Sequence, residues 1–423
     1  MLKNNYQNGI IVFFFLLLIL LKNIDLEFVI NDVFFSKKKK YHAFAKIFRN
    51  GSIFKNNIPY LKKISSINEI IYLFDIRKEI KTYRNIELKN IELKNFSEIN
   101  HPIISVIITL YNQEIYIPKI YSCIINQSIT KIEIIFIDDN SKDNSYKIIQ
   151  KLMKKDKRII YIKNKFNKGQ FYSRNKAVLS SRGKYIQIVD PDDLILNDIL
   201  FKSYKIVKKY KPDIIQFYHI MGNFSENHLF ILYQFSKIIY QPKTSTVFFN
   251  NPTRYLWDKL IKKKIFVKAI YFMDKKYRKE RFVIHNDEVV CFGIFKSADK
   301  YCQLEDVGYF YNWYNLNSTT KQNFLPKNIN GRFHSIFTIM KYYYENSKNN
   351  TYEKFYGGYK FFTYRIVRKY ADKIKYLTKG FDFICFVIDI YLKSPFFNST
   401  HKKLLNEIKS KIKTQKSLVI SKE

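Results

Sequence analysis

Apolar positions recur along this chain in three rhythms. Gly9 to Leu21 read GIIVFFFLLLILL, an apolar run without a charge. Between Ile103 and Val189, short β-branched runs alternate with segments whose apolar residues recur every three or four positions. Beyond residue 321, Tyr342-Tyr343-Tyr344, Tyr359 to Tyr364 and Phe381 to Leu392 read as amphipathic or buried helices, followed by the basic tail Lys402 to Lys422.

The middle region carries the clearest pattern. Ile103 to Thr109 is a run of the kind shown by a strand buried on both faces. Helical spacing follows across Ile117, Ile120, Tyr121, Ile124 and Ile125. Ile132 to Ile137 is the second run and ends in Asp138-Asp139; the next helix opens near Ser141 to Asp143 and carries Ile148, Ile149 and Leu152. Ile159 to Ile162 is the third run, followed by the segment Phe171 to Leu179, and Lys184 to Val189 is the fourth, ending at Asp190. This alternation predicts an α/β fold: a doubly wound, mostly parallel sheet with flanking helices and right-handed crossovers.

Pro102 marks a boundary, because the residue before a proline is pushed out of the helical region. The chain therefore divides into a membrane anchor and basic flank over 1–40, a stem over 41–101, an α/β unit over 102–320 and a helical, basic region over 321–423. The tandem NIELK-NIELK from Asn85 to Lys94 reads as a spacer within the stem, since two copies of five residues cannot build a solenoid. The apolar run at Gly9 is short for a bilayer span of about 20 residues. No small-x-small cleavage site follows it, only Lys22-Asn23-Ile24-Asp25. An uncleaved signal-anchor is the favoured reading, with a cleaved signal or a buried core segment as alternatives. The expected location is membrane-associated through one N-terminal pass, in the Golgi or endoplasmic reticulum if the cell is eukaryotic. Lys37 to Lys40 favour a cytosolic body by the positive-inside rule, whereas a Golgi-type anchor would place it in the lumen.

Composition changes this picture little. Lys plus Arg is 74 against 36 for Asp plus Glu, a net charge of +38. The lysines are spread along the chain and rise together with Ile, Asn, Tyr and Phe, which reads as codon bias. No nucleic-acid partner is expected, because no helix-turn-helix, zinc-finger or RNA-binding aromatic motif accompanies the charge. Hydrophobic residues at 47% exclude a disordered chain. Cys123, Cys291, Cys302 and Cys385 show no zinc-ligand spacing and leave the compartment open.

Candidate chemistry lies where the strands end. Such sheets bind ligands at the carboxyl ends of their strands. Here those ends carry Tyr111-Asn112, Asp138-Asp139 and Asp190-Pro191-Asp192-Asp193. An aspartate there has an ordinary role as a helix N-cap. A crowd of acids at adjacent strand ends points instead to a divalent cation held between carboxylates and ligand phosphates.

The runs SVIITLYNQEIYIPKIYSCIINQ, IEIIFIDDNSKDNS and NKGQFYSRNKAVLSSRGKYIQIVDPDDLI, with YLWDKLI at Tyr255 and YNWYNLNST at Tyr311, resemble the family 2 glycosyltransferases of GT-A fold over residues 103–320. The resemblance implies inverting transfer of a sugar from a nucleoside diphosphate, chiefly UDP, to an acceptor hydroxyl on a glycan, lipid or protein, with Mg2+ or Mn2+. It gives Tyr111 and Asn112 to the donor, Tyr111 stacking on the base. Asp138 and Asp139 would accept hydrogen bonds from uracil and ribose. Asp190 and Asp192 would form the DxD element, Asp190 touching the ribose and Asp192, with Asp190, holding the metal. Asp193 would cap the next helix or support the metal ligand. Lys168, Arg174 and Asn175 fall where the family contacts the donor, with Gly169 and Gly183 at tight turns nearby. The expected base is Asp287, with Glu288 as the alternative, because Asn286 stands where the family usually has an acid. His285 reads as a structural neighbour. Trp257 is placed on the acceptor side or, equally, in the core; Trp313 is open between the same two. A non-catalytic binding or partner subunit of the same fold at a membrane is the competing class.

Overall fold

The computed structural model describes residues 75–222 apart from 77, 84–85, 94 and 197, then 229–232, 239–240, 255–272, 286–312, 381–393 and 399–421, with isolated positions 315, 341 and 374–375. The chain divides into compact units over Met1–Ser65 and Ser66–Glu423, and every described residue belongs to the second. The apolar run at Gly9, the basic run at Lys37, His285 and Trp313 lie outside the described residues. Among the described residues no helix is long and apolar enough to cross a membrane.

The predicted strand runs are present as β1 (Ile104–Leu110), β2 (Ile132–Asp138), β3 (Ile159–Lys163) and β4 (Tyr185–Val189). They lie in the order β3-β2-β1-β4, and each neighbouring pair is parallel. Between them run α1 (Ile117–Ile125), α2 (Ser145–Met153) and α3 (Gln170–Ser180). Successive side chains of a strand point to opposite faces. Ile104, Val106, Ile108 and Leu110 of β1 thus join α1 and α2 in one apolar layer. Ile107, with Ile135 and Ile137 of β2, joins α3 in the other. With helices on both faces, every residue of β1 and β2 is buried.

The second half of the sheet comprises β5 (Leu194–Ile195), α4 (Ile199–Tyr210), β6 (Ile214–Gly222), β7 (Leu229–Leu232), β8 (Ile239–Tyr240), β9 (Lys259–Lys262), α5 (Lys263–Phe272), α6 (Asn286–Ser297) and β10 (Lys300–Asn312). The order continues β4-β9-β6-β10-β5, with β7 beside β6 and β8 beside β10. Only β6 and β10 are parallel here; β9 runs antiparallel to both of its neighbours. The sheet is therefore mixed, which corrects the expectation of a mostly parallel one. Helical crossovers enforce parallel pairing only through β4; β9 passes straight into α5 and is free to run the other way.

The chain winds from β1 to β2 and β3, then returns to place β4 on the other side of β1. This reversal opens a crevice at the carboxyl ends of β1 and β4. Towards the C-terminus, the helices expected at Tyr342-Tyr343-Tyr344 and at Tyr359 to Tyr364 lie outside the described residues, while α7 (Phe381–Leu392) and α8 (Ser399–Ile420) are helices. Their residues Ile384, Val387, Ile388, Leu405, Ile408 and Ile412 join the core layer shared with α5 and α6. The described end of the expected stem is docked as well. Leu88, Ile91 and Leu93 of the tandem repeat pack against the α1 layer, and the Arg158 guanidinium sits 3.4 Å from the Phe96 ring centroid.

Candidate functional site

The loops after β1, β2 and β3 are tied together by their own side chains. Tyr111 leaves β1 48% exposed, its ring face available. Asn112 takes a left-handed backbone (φ 54°), which asparagine tolerates. Its N–H donates to Ser141 Oγ at 2.9 Å and its Oδ1 accepts from Lys142 N at 2.8 Å. Asp138, at the end of β2, accepts from Ser141 N at 2.7 Å and Tyr161 Oη at 2.6 Å. Asp139 accepts from Asn164 Nδ2 at 2.9 Å, Lys168 N at 2.8 Å and Gly169 N at 2.6 Å. Both carboxylates are buried and largely committed to shaping these loops. Lys168 contributes its backbone here, while its side chain is exposed. Gly169, at φ 88°, takes a conformation that disfavours a side chain.

The acids after β4 differ in how far their oxygens are used. Asp193 is buried and accepts from Tyr309 Oη at 2.8 Å and from Asn312 N at 2.8 Å, so it pins β10 beside the site. It does not cap a helix: β5 follows it, and α4 opens after Asp198. Asp190 donates its N–H to Tyr309 Oη at 3.1 Å, and its Oδ1 accepts from Gln170 Nε2 at 2.9 Å and Arg174 Nη2 at 3.5 Å. Asp192 Oδ2 accepts from Asn315 Nδ2 at 2.6 Å. Among the described residues, Asp190 Oδ2 and Asp192 Oδ1 have no hydrogen-bond donor.

Crowding has electrostatic consequences. Burial, then the neighbouring Asp287 and Asp192, raise the Asp190 pKa to about 7, against the opposing pull of Arg174 and Gln170. Burial raises Asp192 against its bond from Asn315. Burial, then Asp192 and Asp190, push Asp193 well above the usual carboxylate range.

Arg174 connects this cluster to the expected base. It projects from α3 with its side chain 2% exposed. Its Nη1 donates to Asp287 Oδ1 while Nη2 reaches Asp190. Burial draws the guanidinium pKa down, but Asp287 and Asp190 outweigh it and the net shift is upward. Asp287 sits in the first turn of α6. Glu288 follows on the same helix, and its side chain lies outside the described residues. Asn175 is buried in α3, and among the described residues its Oδ1 is unpaired.

Of the two places open to Trp257, the core is the one seen: it is 2% exposed and stacks against Tyr255 at 4.5 Å and Tyr309 at 4.6 Å. His219 meets its ring edge-on at 4.6 Å. Burial and then Lys259 lower the His219 pKa to about 3, so this imidazole is neutral. Gly183 is also displaced from its expected place: it precedes β4 at the amino end of the sheet, away from the crevice.

Sequence reasoning missed Gln170, Tyr309 and Asn315. Gln170 and Asn315 lie inside runs it singled out, NKGQ and YNWYNLNST, whereas no local signal marks Tyr309. Among the described residues no group of three or more His, Cys, Asp or Glu could hold a metal alone. The open pair Asp190 Oδ2 and Asp192 Oδ1 fits instead a hard cation that keeps most of its shell for ligand phosphates and water.

Residues 105–301 match the family model described as Glycosyl transferase family 2. An uncharacterized glycosyltransferase of Methanocaldococcus jannaschii is 35% identical over 157 residues, 31% of this chain and 54% of that protein. The Escherichia coli UDP-Glc:alpha-D-GlcNAc-diphosphoundecaprenol beta-1,3-glucosyltransferase WfaP is 41% identical over 91 residues, 22% of this chain and 36% of that protein. The chain thus spans about half the length of the first of these relatives and less of the second. The crystal structure of S. aureus TarS 1-349 in complex with UDP-GlcNAc shares the fold, with a TM-score of 0.53 at 17% identity, covering 75% of this chain and 91% of that one.

Proposed function

The chain belongs to the family 2 glycosyltransferases through its domain at 105–301, and from that premise we propose that it transfers a sugar from a UDP-sugar to an acceptor hydroxyl, with inversion and with Mg2+ or Mn2+. One observation carries the reading: among the described residues Asp190 and Asp192 each hold one undonated oxygen at the switch of the sheet, and Asp287 stands beside them across Arg174. The donor class is supported by the UDP-GlcNAc bound in TarS and by the UDP-Glc in the name of WfaP. A glycan, lipid or protein acceptor remains within the proposal, as does attachment to a membrane through the run at Gly9.

Each residue has a physical task. Tyr111 offers its exposed face to the base of the nucleotide. Asp138 and Asp139 hold the loops that receive it. Asp190 Oδ2 and Asp192 Oδ1 would bind the cation, which when bound neutralises charge on the departing diphosphate. Asp287 takes the proton from the acceptor hydroxyl as that oxygen bonds to the anomeric carbon. The bond from that carbon to the diphosphate breaks on the opposite face, and its electron pair leaves with the diphosphate, which accounts for inversion.

The test is a panel of nucleotide sugars offered to the purified full chain with Mn2+. A UDP-sugar should raise the melting temperature and be turned over, and both effects should vanish in EDTA or in Asp192→Ala. Equal turnover in EDTA would remove the metal from the proposal, and no response to any nucleotide sugar would remove the activity.

A further inference from the structure

Arg174 was expected to touch the donor, yet its surroundings assign it elsewhere. Its side chain is 2% exposed and both of its Nη atoms are directed at carboxylates. The two acids come from distant places: Asp190 ends β4 and Asp287 opens α6, 16 and 113 residues away. Each gives the arginine one oxygen, Oδ1 in both cases. Among the described residues the other oxygen of each, Asp190 Oδ2 and Asp287 Oδ2, meets no donor.

We infer that Arg174 is a positioning residue that holds the donor-side acid Asp190 and the base Asp287 as one unit and makes no contact with the nucleotide sugar. This rests on the glycosyl-transfer reading above and deepens it. The guanidinium is a planar fork whose two Nη groups point in fixed, different directions. One side chain can therefore aim two carboxylates at once, turning Asp190 Oδ2 towards the donor and Asp287 Oδ2 towards the acceptor. Without it, two partly exposed carboxylates would face each other as like charges and separate. An ammonium in the same place would supply charge without the fork.

A double-mutant cycle on the full chain decides the matter. Donor KM, kcat for transfer and the melting temperature are measured for wild type, Arg174→Gln, Arg174→Lys, Asp287→Asn and the Arg174→Gln/Asp287→Asn double variant. Residues acting as one unit are strongly non-additive. Arg174→Gln should lower kcat by about 100-fold, the scale of a misplaced catalytic group, with donor KM within about threefold of wild type. The double variant should be no slower than Asp287→Asn alone. Arg174→Lys should recover part of kcat and leave KM unchanged; it carries the test by itself if the Gln variant does not fold. A tenfold rise in donor KM in either Arg174 variant, or losses that multiply in the double variant, would return Arg174 to the donor site and overturn the inference. If wild type turns over no nucleotide sugar, the functional reading fails instead, and the two failures are distinct.

Discussion

Acids stand at both ends of the sheet, and the two ends treat them differently. At the amino end Glu133 of β2 is fully buried. Its Oε1 accepts from Ser105 Oγ at 2.6 Å, Arg182 N at 2.5 Å and Gly183 N at 3.1 Å, and its Oε2 from Arg182 Nε at 2.9 Å. At the carboxyl end Asp190, Asp192 and Asp287 keep one undonated oxygen each among the described residues. Burial obliges Glu133 to be fully paired, whereas Asp190 and Asp287, with side chains 19% exposed, keep oxygens within reach of solvent. Among the described residues the carboxyl end is therefore left unfinished, in keeping with the proposed cation and acceptor hydroxyl.

The largest effect should come from the open end. Asp287→Asn should lower transfer by about 10²–10⁴-fold, the usual worth of a general base, with donor affinity unchanged. A variant that keeps wild-type turnover would pass the role to Glu288.

Paired substitutions sharpen the contrast in stability. Glu133→Gln keeps the shape but puts an amide where Arg182 and two backbone N–H groups need an anion. It should cost about 2–3 kcal/mol, as for a broken buried charge pair, read by urea unfolding, and leave donor KM where it was. Asp190→Asn removes a charge from a crowded cluster. It should unfold at the same urea concentration as wild type or a higher one, while donor turnover collapses. If Asp190→Asn proved the more destabilising of the two, the division between a finished and an unfinished end would fail.

Gly183→Ala probes the finished end sterically. A Cβ there would lie 2.4 Å from Ser105 Oγ and 2.6 Å from Ser105 N, and β1 cannot move away from β4. A loss of about 1–3 kcal/mol is expected, the range for overpacking, with kcat unchanged.

The same contrast explains what was legible in the sequence. Strands β1 to β4 were readable because each is a compact apolar run bounded by turn residues. The short strands β5, β8 and β9 carry too few residues to show a period, so their antiparallel pairing was hidden. The acids Asp190, Asp192 and Asp287 stood out through their motifs. Their division of labour did not, because hydrogen-bond partners such as Gln170, Asn315 and Tyr309 come from elsewhere in the chain. Asp138 and Asp139 looked like ligand acceptors, and only the three-dimensional loops reveal Ser141, Asn164 and Gly169 as their donors. Trp257 could not be placed by pattern, since a core aromatic and a lining one have the same local sequence.

The smallest effect concerns pH and bears on the open end alone. Asp190 has its pKa raised from 3.8 to about 7, by burial first and then by Asp287 and Asp192. In the unfolded chain the group releases its proton near the ordinary value. Between about pH 4 and 7 the folded chain therefore holds a proton that the unfolded chain has lost. Stability contributed by this group falls as pH rises through that window and is level above it. Other carboxylates with depressed values act in the opposite sense, so the observable is the difference between wild type and Asp190→Asn. Without metal, the melting temperature of wild type should gain on that of the variant by a few degrees on going from pH 7.5 to 5.5. Mn2+ at pH 7.5 should supply the same kind of relief, because a cation between the acids replaces the proton as the missing positive charge. Parallel melting curves for the two proteins across this range, with and without Mn2+, would mean that the open oxygens of the carboxyl end are already content with water.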